Sequence, residues 1–183
     1  MTLQVYKNIF ITGKIGCGKT TLIKEVTLPI LNKIGGFYTE EISDSNNKRL
    51  GYKLKTFSGQ EGIFASKELK SEHKLNKYGL EMNVIEGLGV KSVIDALQDK
   101  EVIVIDEVGT MGIISQLFRE TLVKCLSSEK KVLATIRFGS QPYTDEISKM
   151  ADTQLVLLNR ENYPEIKKQI KDWLEKPWEK PLN

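Results

Sequence analysis

Eight residues near the start of the chain constrain its fold more than any other segment. Residues 13–20 (GKIGCGKT) follow the pattern G-x-x-x-x-G-K-[ST], in which glycines let main-chain N–H groups turn inward around phosphate oxygens. The segment 5–12 before them is largely apolar, and the segment 21–30 after them carries apolar residues at helical spacing. A strand, a loop of this kind and a helix, in that order, predict a phosphate-binding site.

Two side chains of this loop have predicted chemical roles. Lys19 is expected to reach the β- and γ-phosphates of a nucleotide and to take part in catalysis, and the Thr20 hydroxyl is expected to bind Mg²⁺. Lys14 either leans over the γ-phosphate or is a solvated surface lysine, and Cys17 is either a thiol activated by the helix N-terminus or a small residue that fits the loop. The predicted nucleotide-binding residues of this segment are Gly13, Lys14, Ile15, Gly16, Cys17, Gly18, Lys19, Thr20 and Thr21.

A second acidic motif follows the most apolar strand pattern in the chain. Residues 102–105 (VIVI) are typical of a strand buried on both faces, and Asp106 and Glu107 come directly after them. Asp106 is predicted to hold Mg²⁺ through a water molecule, as the acidic partner of Thr20, and Glu107 to act as the general base on the attacking water. Taken without the phosphate loop, the same two acids could simply be solvated at a strand end.

Other polar residues are further candidates for the site. Arg137 follows a predicted core strand, where it is either a catalytic arginine supplied in cis or a surface ion-pair residue. Asn159 and Arg160 follow the last predicted strand and are expected to flank the nucleotide base. Glu40 and Glu41 are predicted to be exposed acids on an edge strand. The alternative is a role in sensing the γ-phosphate or in positioning a second substrate.

Composition and charge narrow the function classes. The 27 Lys and Arg against 24 Asp and Glu leave a net charge of +3, which gives no strong signal for nucleic acid or membrane partners. No segment has the length and apolarity of a membrane span, and the start of the chain lacks a signal-peptide pattern. Two cysteines without a pairing pattern are typical of a protein of the reducing cytoplasm. The scarcity of long exposed apolar stretches favours a monomer.

The periodicity of the whole chain predicts one α/β domain over residues 1–183. Predicted strands alternate with helices, which indicates a three-layer architecture around a mostly parallel central sheet. Segments 36–42 and 50–57, joined by a polar turn, predict an antiparallel hairpin added to that core. Residues 78–86 are predicted as a strand, and the segments 114–126 and 162–174 as helices.

Two other nucleotide-binding classes fit less well. Residues 106–109 (DEVG) satisfy the D-x-x-G turn of switch GTPases, but no guanine-reading N-K-x-D follows, since residues 159–162 read NREN. A small-molecule kinase would need an arginine-rich lid, and the four arginines are scattered along the chain. A phosphotransferase and a nucleotide-gated binding module remain open as alternatives to a triphosphatase.

With both motifs placed, the chain resembles the THEP-type nucleoside-triphosphatases, the family that includes the cancer-related nucleoside-triphosphatases. The resemblance rests on segments in the family's order and spacing, namely 13–22 (GKIGCGKTTL), 36–41 (GFYTEE), 102–111 (VIVIDEVGTM), 132–136 and 159–161. It implies a RecA-like P-loop domain that slowly hydrolyses ATP, GTP and other nucleoside triphosphates, with Mg²⁺ dependence and weak choice of base. Two positions depart from the family pattern: Gly112 stands where an acidic residue is usual, and Arg137 lacks the usual nearby histidine.

Overall fold

The computed structural model describes residues 6–109, 114–139 and 142–178. Predictions that involve Val5, Met111, Gly112 or Ile113 therefore fall outside the described residues. The strands are β1 (Asn8–Thr12), β2 (Ile34–Ser43), β3 (Arg49–Thr56), β4 (Glu61–Ser66), β5 (Lys74–Leu75), β6 (Tyr78–Leu80), β7 (Val102–Ile105), β8 (Lys131–Thr135) and β9 (Thr153–Leu157). The helices are α1 (Lys19–Thr27), α2 (Lys91–Asp99), α3 (Gln116–Ser127), α4 (Pro142–Ser148) and α5 (Tyr163–Glu175), with a 3₁₀ turn at Leu28–Ile30 and a π-helical turn at Val84–Val90.

All of these strands lie in one mixed sheet with the order β5-β6-β4-β3-β2-β7-β8-β1-β9. From β2 to β9 the neighbours are parallel, and from β2 to β5 they are antiparallel. The α/β fold with a mostly parallel core and an antiparallel addition is confirmed. The predicted hairpin straddles the two halves, because β2 pairs in parallel with β7 on one side and antiparallel with β3 on the other.

Two apolar cores, one on each face of the sheet, make the three layers. On one face, α1 and α5 bury residues such as Leu22, Ile23 and Trp173 against the sheet. On the other face, α2 and α3 pack residues such as Val93 and Phe118. The β-branched residues of β7 are buried on both faces, as a covered parallel strand requires.

The order of the parallel strands places the two sequence motifs near each other. β8 is the one strand between β1, which leads into the phosphate loop, and β7, which leads into Asp106. The carboxyl ends of these parallel strands meet at the same edge of the sheet. Residues 38–43 of β2 extend beyond the carboxyl end of β7, because the pairing of the two strands stops at Phe37 and Ile105.

Two sequence-based predictions of local structure were wrong. The segment 78–86 is a strand only over Tyr78–Leu80, because the Glu81 carbonyl accepts from the backbone of Val84 and Ile85 and starts a helical turn. The apolar spacing of the segment 114–126 predicts that Leu117 shares a buried helix face with Phe118, Leu122 and Leu126, but Leu117 is 44% exposed. At Glu40 and Glu41, β2 pairs with β3 on one side, while its pairing with β7 on the other side has already stopped at Phe37.

Candidate functional site

The phosphate loop is shaped by close backbone contacts at its two ends. A Cβ at Gly13 would lie 2.3 Å from the Leu158 carbonyl oxygen, so only glycine fits there. Gly18 precedes α1 at φ 101°, and a Cβ on it would lie 3.0 Å from the ring of Tyr163. The Lys19 ammonium spans the loop and donates a 2.9 Å hydrogen bond to the Gly13 carbonyl oxygen. The loop is thus closed on itself by its own lysine.

The start of α1 has the features of an anion site. No side chain caps its N-terminus, and its first turn carries no acidic residue. The backbone N–H groups there remain available to an anion, which the positive end of the helix dipole also attracts. The position of the loop at the carboxyl edge of the parallel strands matches the usual place of a nucleotide in such sheets.

The remaining loop residues differ in exposure. Lys14 and Ile15 lie on the surface, and the side chain of Ile15 is 83% exposed. Cys17 is half-buried and packs beside Gly13, where a Cβ would lie 2.8 Å from its sulfur. Gly16 is exposed at the turn, and Thr21 is exposed on the first turn of α1.

Asp106 is the buried centre of the site. Its side chain is 1% exposed. One carboxylate oxygen, Oδ2, accepts a 2.7 Å hydrogen bond from the Thr20 hydroxyl and a longer one, 3.5 Å, from the Thr39 backbone N–H. The other oxygen, Oδ1, accepts from the Thr135 hydroxyl. Burial raises the pKa of the Asp106 carboxyl, and these hydrogen bonds oppose the rise.

Glu107 follows Asp106 in the chain, and its carboxyl interacts with the positive charges of Lys19 and Arg137. Burial raises the pKa of the Glu107 carboxyl; the Lys19 ammonium opposes that rise and the Asp106 carboxylate adds to it. The Arg137 guanidinium also lowers this pKa. A Cβ at Gly109 would lie 3.4 Å from Glu107 Oε1 and 3.5 Å from Arg137 Cβ, so the small glycine leaves space between these two side chains.

Arg137 is exposed where β8 ends. Its carbonyl oxygen accepts a 3.3 Å hydrogen bond from the Thr12 hydroxyl, which fixes its backbone to the strand that leads into the phosphate loop. The structure therefore brings together residues from three strand ends, and these are Lys19, Thr20, Asp106, Glu107 and Arg137.

Asn159 and Arg160 lie in the exposed loop between β9 and α5, next to the phosphate loop. Asn159 Oδ1 accepts hydrogen bonds of 2.9 and 2.8 Å from the backbone N–H groups of Glu161 and Asn162. The Asn162 side chain returns the contact by accepting from the Asn159 N–H at 2.8 Å. The side-chain oxygen of Asn159 thus stabilises the conformation of its own loop.

Sequence reasoning missed three residues of this region. Thr135 and Thr39 bind Asp106, and Tyr163 packs its ring against Gly18 while its hydroxyl donates to Glu25 at 2.9 Å. One signal was visible for Thr135, since it is a polar residue at the end of an otherwise apolar strand, VLAT. No local pattern points to Tyr163, because its partners come from the other end of the chain.

Glu40 forms two ion pairs, one with a lysine of α1 and one with a lysine of β3. Its carboxylate pairs with the ammonium groups of Lys24 on α1 at 2.7 Å and Lys55 on β3 at 2.9 Å. These two contacts lower the pKa of Glu40. Lys24 follows Thr20 by one helical turn, and Glu40 follows Thr39, so the ion pair joins the same two elements that meet at Asp106.

The oxygen atoms of Thr20 and Asp106 suit Mg²⁺, which prefers hard oxygen ligands and few protein groups. In residues 6–109, 114–139 and 142–178, no cluster of three or more His, Cys, Asp or Glu side chains could hold a metal. A Mg²⁺ ion at this edge would therefore be shared with substrate phosphates and water, as is usual for this ion. Across the described segments, no helix is long and apolar enough to cross a bilayer.

Comparisons with known proteins show which family the chain resembles. The family model described as NTPase matches residues 8–171. The nucleoside-triphosphatase THEP1 of Thermotoga sp. (strain RQ2) is 43% identical over 154 residues, covering 84% of this chain and 87% of that protein. The crystal structure of THEP1 from the hyperthermophile Aquifex aeolicus has a TM-score of 0.81 at 32% identity, covering 92% of this chain and 99% of that one. The solution structure of a human cancer-related nucleoside triphosphatase has a TM-score of 0.76 at 29% identity, with coverage of 92% and 97%.

Proposed function

The chain belongs to the NTPase family, and from that premise we propose that it hydrolyses ATP, GTP and other nucleoside triphosphates to the diphosphate and phosphate, with Mg²⁺ and with weak selectivity for the base. One observation carries the proposal. The buried Asp106 carboxylate is hydrogen-bonded to Thr20, the residue that follows the phosphate-loop lysine. This bond joins the two residues predicted to bind Mg²⁺ next to the phosphate loop, and it supports the proposal.

Each residue of the site has a part in this reaction. The backbone of residues 13–20 and the Lys19 ammonium bind the β- and γ-phosphates, and Thr20 and Asp106 hold the Mg²⁺. The ion, when bound, neutralises negative charge on the β- and γ-phosphate oxygens. Arg137, on the side of Glu107, stabilises the negative charge that develops on the γ-phosphoryl group during its transfer.

Glu107 accepts the proton of the attacking water. Its pKa is raised by burial, which makes the carboxylate a stronger base than an exposed glutamate. The neighbouring positive charges of Lys19 and Arg137 oppose this rise and favour the ionised form. Catalysis here consists mainly of positioning and charge stabilisation by the chain's own residues. Turnover is expected to be slow if no partner completes the site.

Weak base selectivity is supported by the loop of residues 158–162. The side-chain oxygen of Asn159 accepts hydrogen bonds from backbone N–H groups of its own loop, so it is engaged within the loop and not in reading the edge of a base. Arg160 can stack on a flat ring without distinguishing its edges. The absence of N-K-x-D from the sequence removes the usual means of selecting guanine.

Three further expectations stay predictions. Both cysteines are free thiols, which fits a reducing compartment such as the cytoplasm. A monomer is expected from the scarcity of long exposed apolar stretches. The lack of a nucleic acid partner is expected from the small net charge of +3.

The test is a phosphate-release panel with ATP, GTP, CTP and UTP, in Mg²⁺ and in EDTA. We expect all four to be hydrolysed with kcat/KM values within about tenfold of each other, and no release in EDTA. Lys19→Ala serves as the background. Phosphate release no faster than this background would overturn the proposal.

Two further experiments distinguish the triphosphatase from a phosphotransferase and from a nucleotide-gated binding module. Adding nucleosides, nucleotides and small hydroxyl metabolites asks whether the γ-phosphate reaches an acceptor faster than water, which would indicate a phosphotransferase. Tight nucleotide binding with negligible turnover, and a change of shape between the di- and triphosphate states, would indicate a nucleotide-gated module.

A further inference from the structure

Thr135 places a buried hydroxyl between the two halves of the nucleotide site. It is the last residue of β8, has no exposed surface, and pairs with Ile11 of β1. On the other side β8 pairs with β7, the strand that delivers Asp106. A hydroxyl buried at such a point needs a hydrogen-bond partner, and Thr135 finds it in Asp106 Oδ1.

The two oxygens of Asp106 are bound in different ways. Oδ2 faces α1, where the Thr20 hydroxyl donates to it at 2.7 Å. Thr20 is itself a predicted Mg²⁺ ligand, so Oδ2 is the Asp106 oxygen on the side where a cation would bind. The bond from the Thr39 N–H to Oδ2 is long, at 3.5 Å. The bond from Thr135 is made to the oxygen that faces the sheet and does not compete with the cation.

We propose that Thr135 is a positioning residue for metal binding: its hydroxyl holds the Asp106 carboxylate in the orientation that presents Oδ2 to the cation beside Thr20. This inference rests on the proposed Mg²⁺-dependent reaction. Thr135 itself does not touch the substrate or the metal. It acts on the reaction through Asp106, in the way that a hydrogen-bonding partner of a metal ligand fixes the orientation of that ligand.

A valine at this position isolates the effect of the hydroxyl. Thr135→Val keeps the β-branched shape in a packed strand and removes the hydroxyl that donates to Asp106 Oδ1. The Asp106 carboxylate then loses the bond that fixes its orientation from the side of the sheet. Loss of such a partner typically weakens metal affinity by roughly 10- to 100-fold. Thr135→Ser keeps the donor and should recover most of the affinity.

The matched control is another fully buried threonine. Thr27 on α1 donates to the Ile23 carbonyl of its own helix at 2.6 Å and makes no contact with Asp106. Thr27→Val therefore carries the same chemical change in the same core without touching the site. Thermal melts of all three variants check that each one folds.

The experiment measures metal binding without turnover. Mn²⁺ is titrated into the full chain with excess ADP and followed by electron paramagnetic resonance, and the affinity for ADP in EDTA is measured separately. We expect Thr135→Val to weaken Mn²⁺ binding at least about tenfold while its ADP affinity in EDTA changes less than about twofold. Thr135→Ser and Thr27→Val should stay within about threefold of the wild type.

Two outcomes would overturn the inference: Mn²⁺ binding by Thr135→Val as tight as the wild type, or an equal loss in Thr27→Val. The Mg²⁺ concentration for half-maximal phosphate release, measured in parallel, separates this failure from that of the proposed function. If the wild type hydrolyses nucleotides and the valine leaves metal binding and the Mg²⁺ requirement unchanged, only the inference fails. If the wild type shows no metal-dependent hydrolysis but Mn²⁺ binding still depends on the Thr135 hydroxyl, only the proposed function fails.

Discussion

The Thr20 hydroxyl donates a 2.7 Å hydrogen bond to Asp106 Oδ2, although the two residues are 86 positions apart in the chain. The contact joins the first turn of α1 to the carboxyl end of β7, with β8 lying between β7 and the strand that precedes α1. Both elements are buried on their inner faces, so the bond is held by the packing of the core and not by the polar residues alone. The nucleotide site is therefore a product of strand order.

Glu107→Gln separates turnover from folding. Removing the base should lower kcat by about 10²–10⁴-fold, while nucleotide affinity stays near that of the wild type. Because burial disfavours the charged carboxylate, the neutral amide should not lower the melting temperature of the nucleotide-free protein. Calorimetry and phosphate release measure these effects, with Glu68→Gln on the surface as the control. A melting temperature lower than that of the control, or unchanged kcat, would contradict the assignment.

The pH dependence of the rate should report the same carboxyl. Its pKa in the folded chain lies above the ordinary value of 4.5, so the rate should fall with decreasing pH already above 4.5. A raised pKa also means that the folded state binds this proton more tightly than the unfolded state. The contribution of Glu107 to stability therefore decreases as pH rises through the interval above 4.5. Glu107→Gln should remove both effects, which rate and unfolding measurements across pH 4–8 would detect.

Gly13→Ala should damage the loop through a steric clash. The added Cβ would lie 2.3 Å from the Leu158 carbonyl oxygen, which is backbone and cannot rotate away. We expect a loss of about 1–3 kcal/mol in the free energy of unfolding, together with weakened nucleotide binding. Gly87→Ala is the control, since a Cβ there meets no atom within 4 Å. Equal stability of the two variants in urea unfolding would refute the clash.

How far the site could be predicted depends on how local each signal is. The phosphate loop is contiguous, so residues 13–20 and the following α1 could be predicted from their pattern. The acids of residues 106–107 follow a strand that is recognisable by itself. In contrast, the strand order of the sheet and the bonds of Thr135 and Tyr163 join distant segments, and no local pattern encodes them.

Two local features were also beyond prediction. α4 is a helix of 7 residues that buries only Thr144 and Ile147, too few for a periodic signal. In residues 78–84 the apolar side chains alternate, as in a strand, but only Tyr78–Leu80 pairs with other strands, because β5 and β4 reach no further. The chain then turns into the π-helical segment, where Ile85 enters the core.

The Lys24–Glu40 ion pair should contribute little to stability. Both side chains are about one-third exposed, at 34% and 31%, so water screens their attraction. A double-mutant cycle with Lys24→Met and Glu40→Gln should give a coupling of about 0.2–1 kcal/mol that decreases at high salt. Since Lys24 and Lys55 lower the pKa of Glu40, this contribution is present above pH 4.5 and is lost as pH falls through the lowered pKa. A coupling that persists unchanged in 1 M salt would argue against a screened pair.

The two thiols should differ in reactivity. Cys125 is fully buried, and burial raises its pKa to about 12, which keeps it as the inert thiol. Cys17 is half-buried in the phosphate loop. Iodoacetamide should modify Cys17 in the native protein and Cys125 only after unfolding, and nucleotide should slow the first reaction. Mass spectrometry of digested samples would show this order, and modification of Cys125 first would contradict the described packing.

In the proposed reaction, Glu107 directs water at the γ-phosphorus of a triphosphate held by the loop and Asp106. Hydrolysis of ATP in H₂¹⁸O, with mass spectrometry of both products, tests this role of Glu107. We expect ¹⁸O in the inorganic phosphate and none in the diphosphate, formed by the wild type only with Mg²⁺ and not above background by Glu107→Gln. Label in the diphosphate, or equal labelling of phosphate by Glu107→Gln and the wild type, would refute this role.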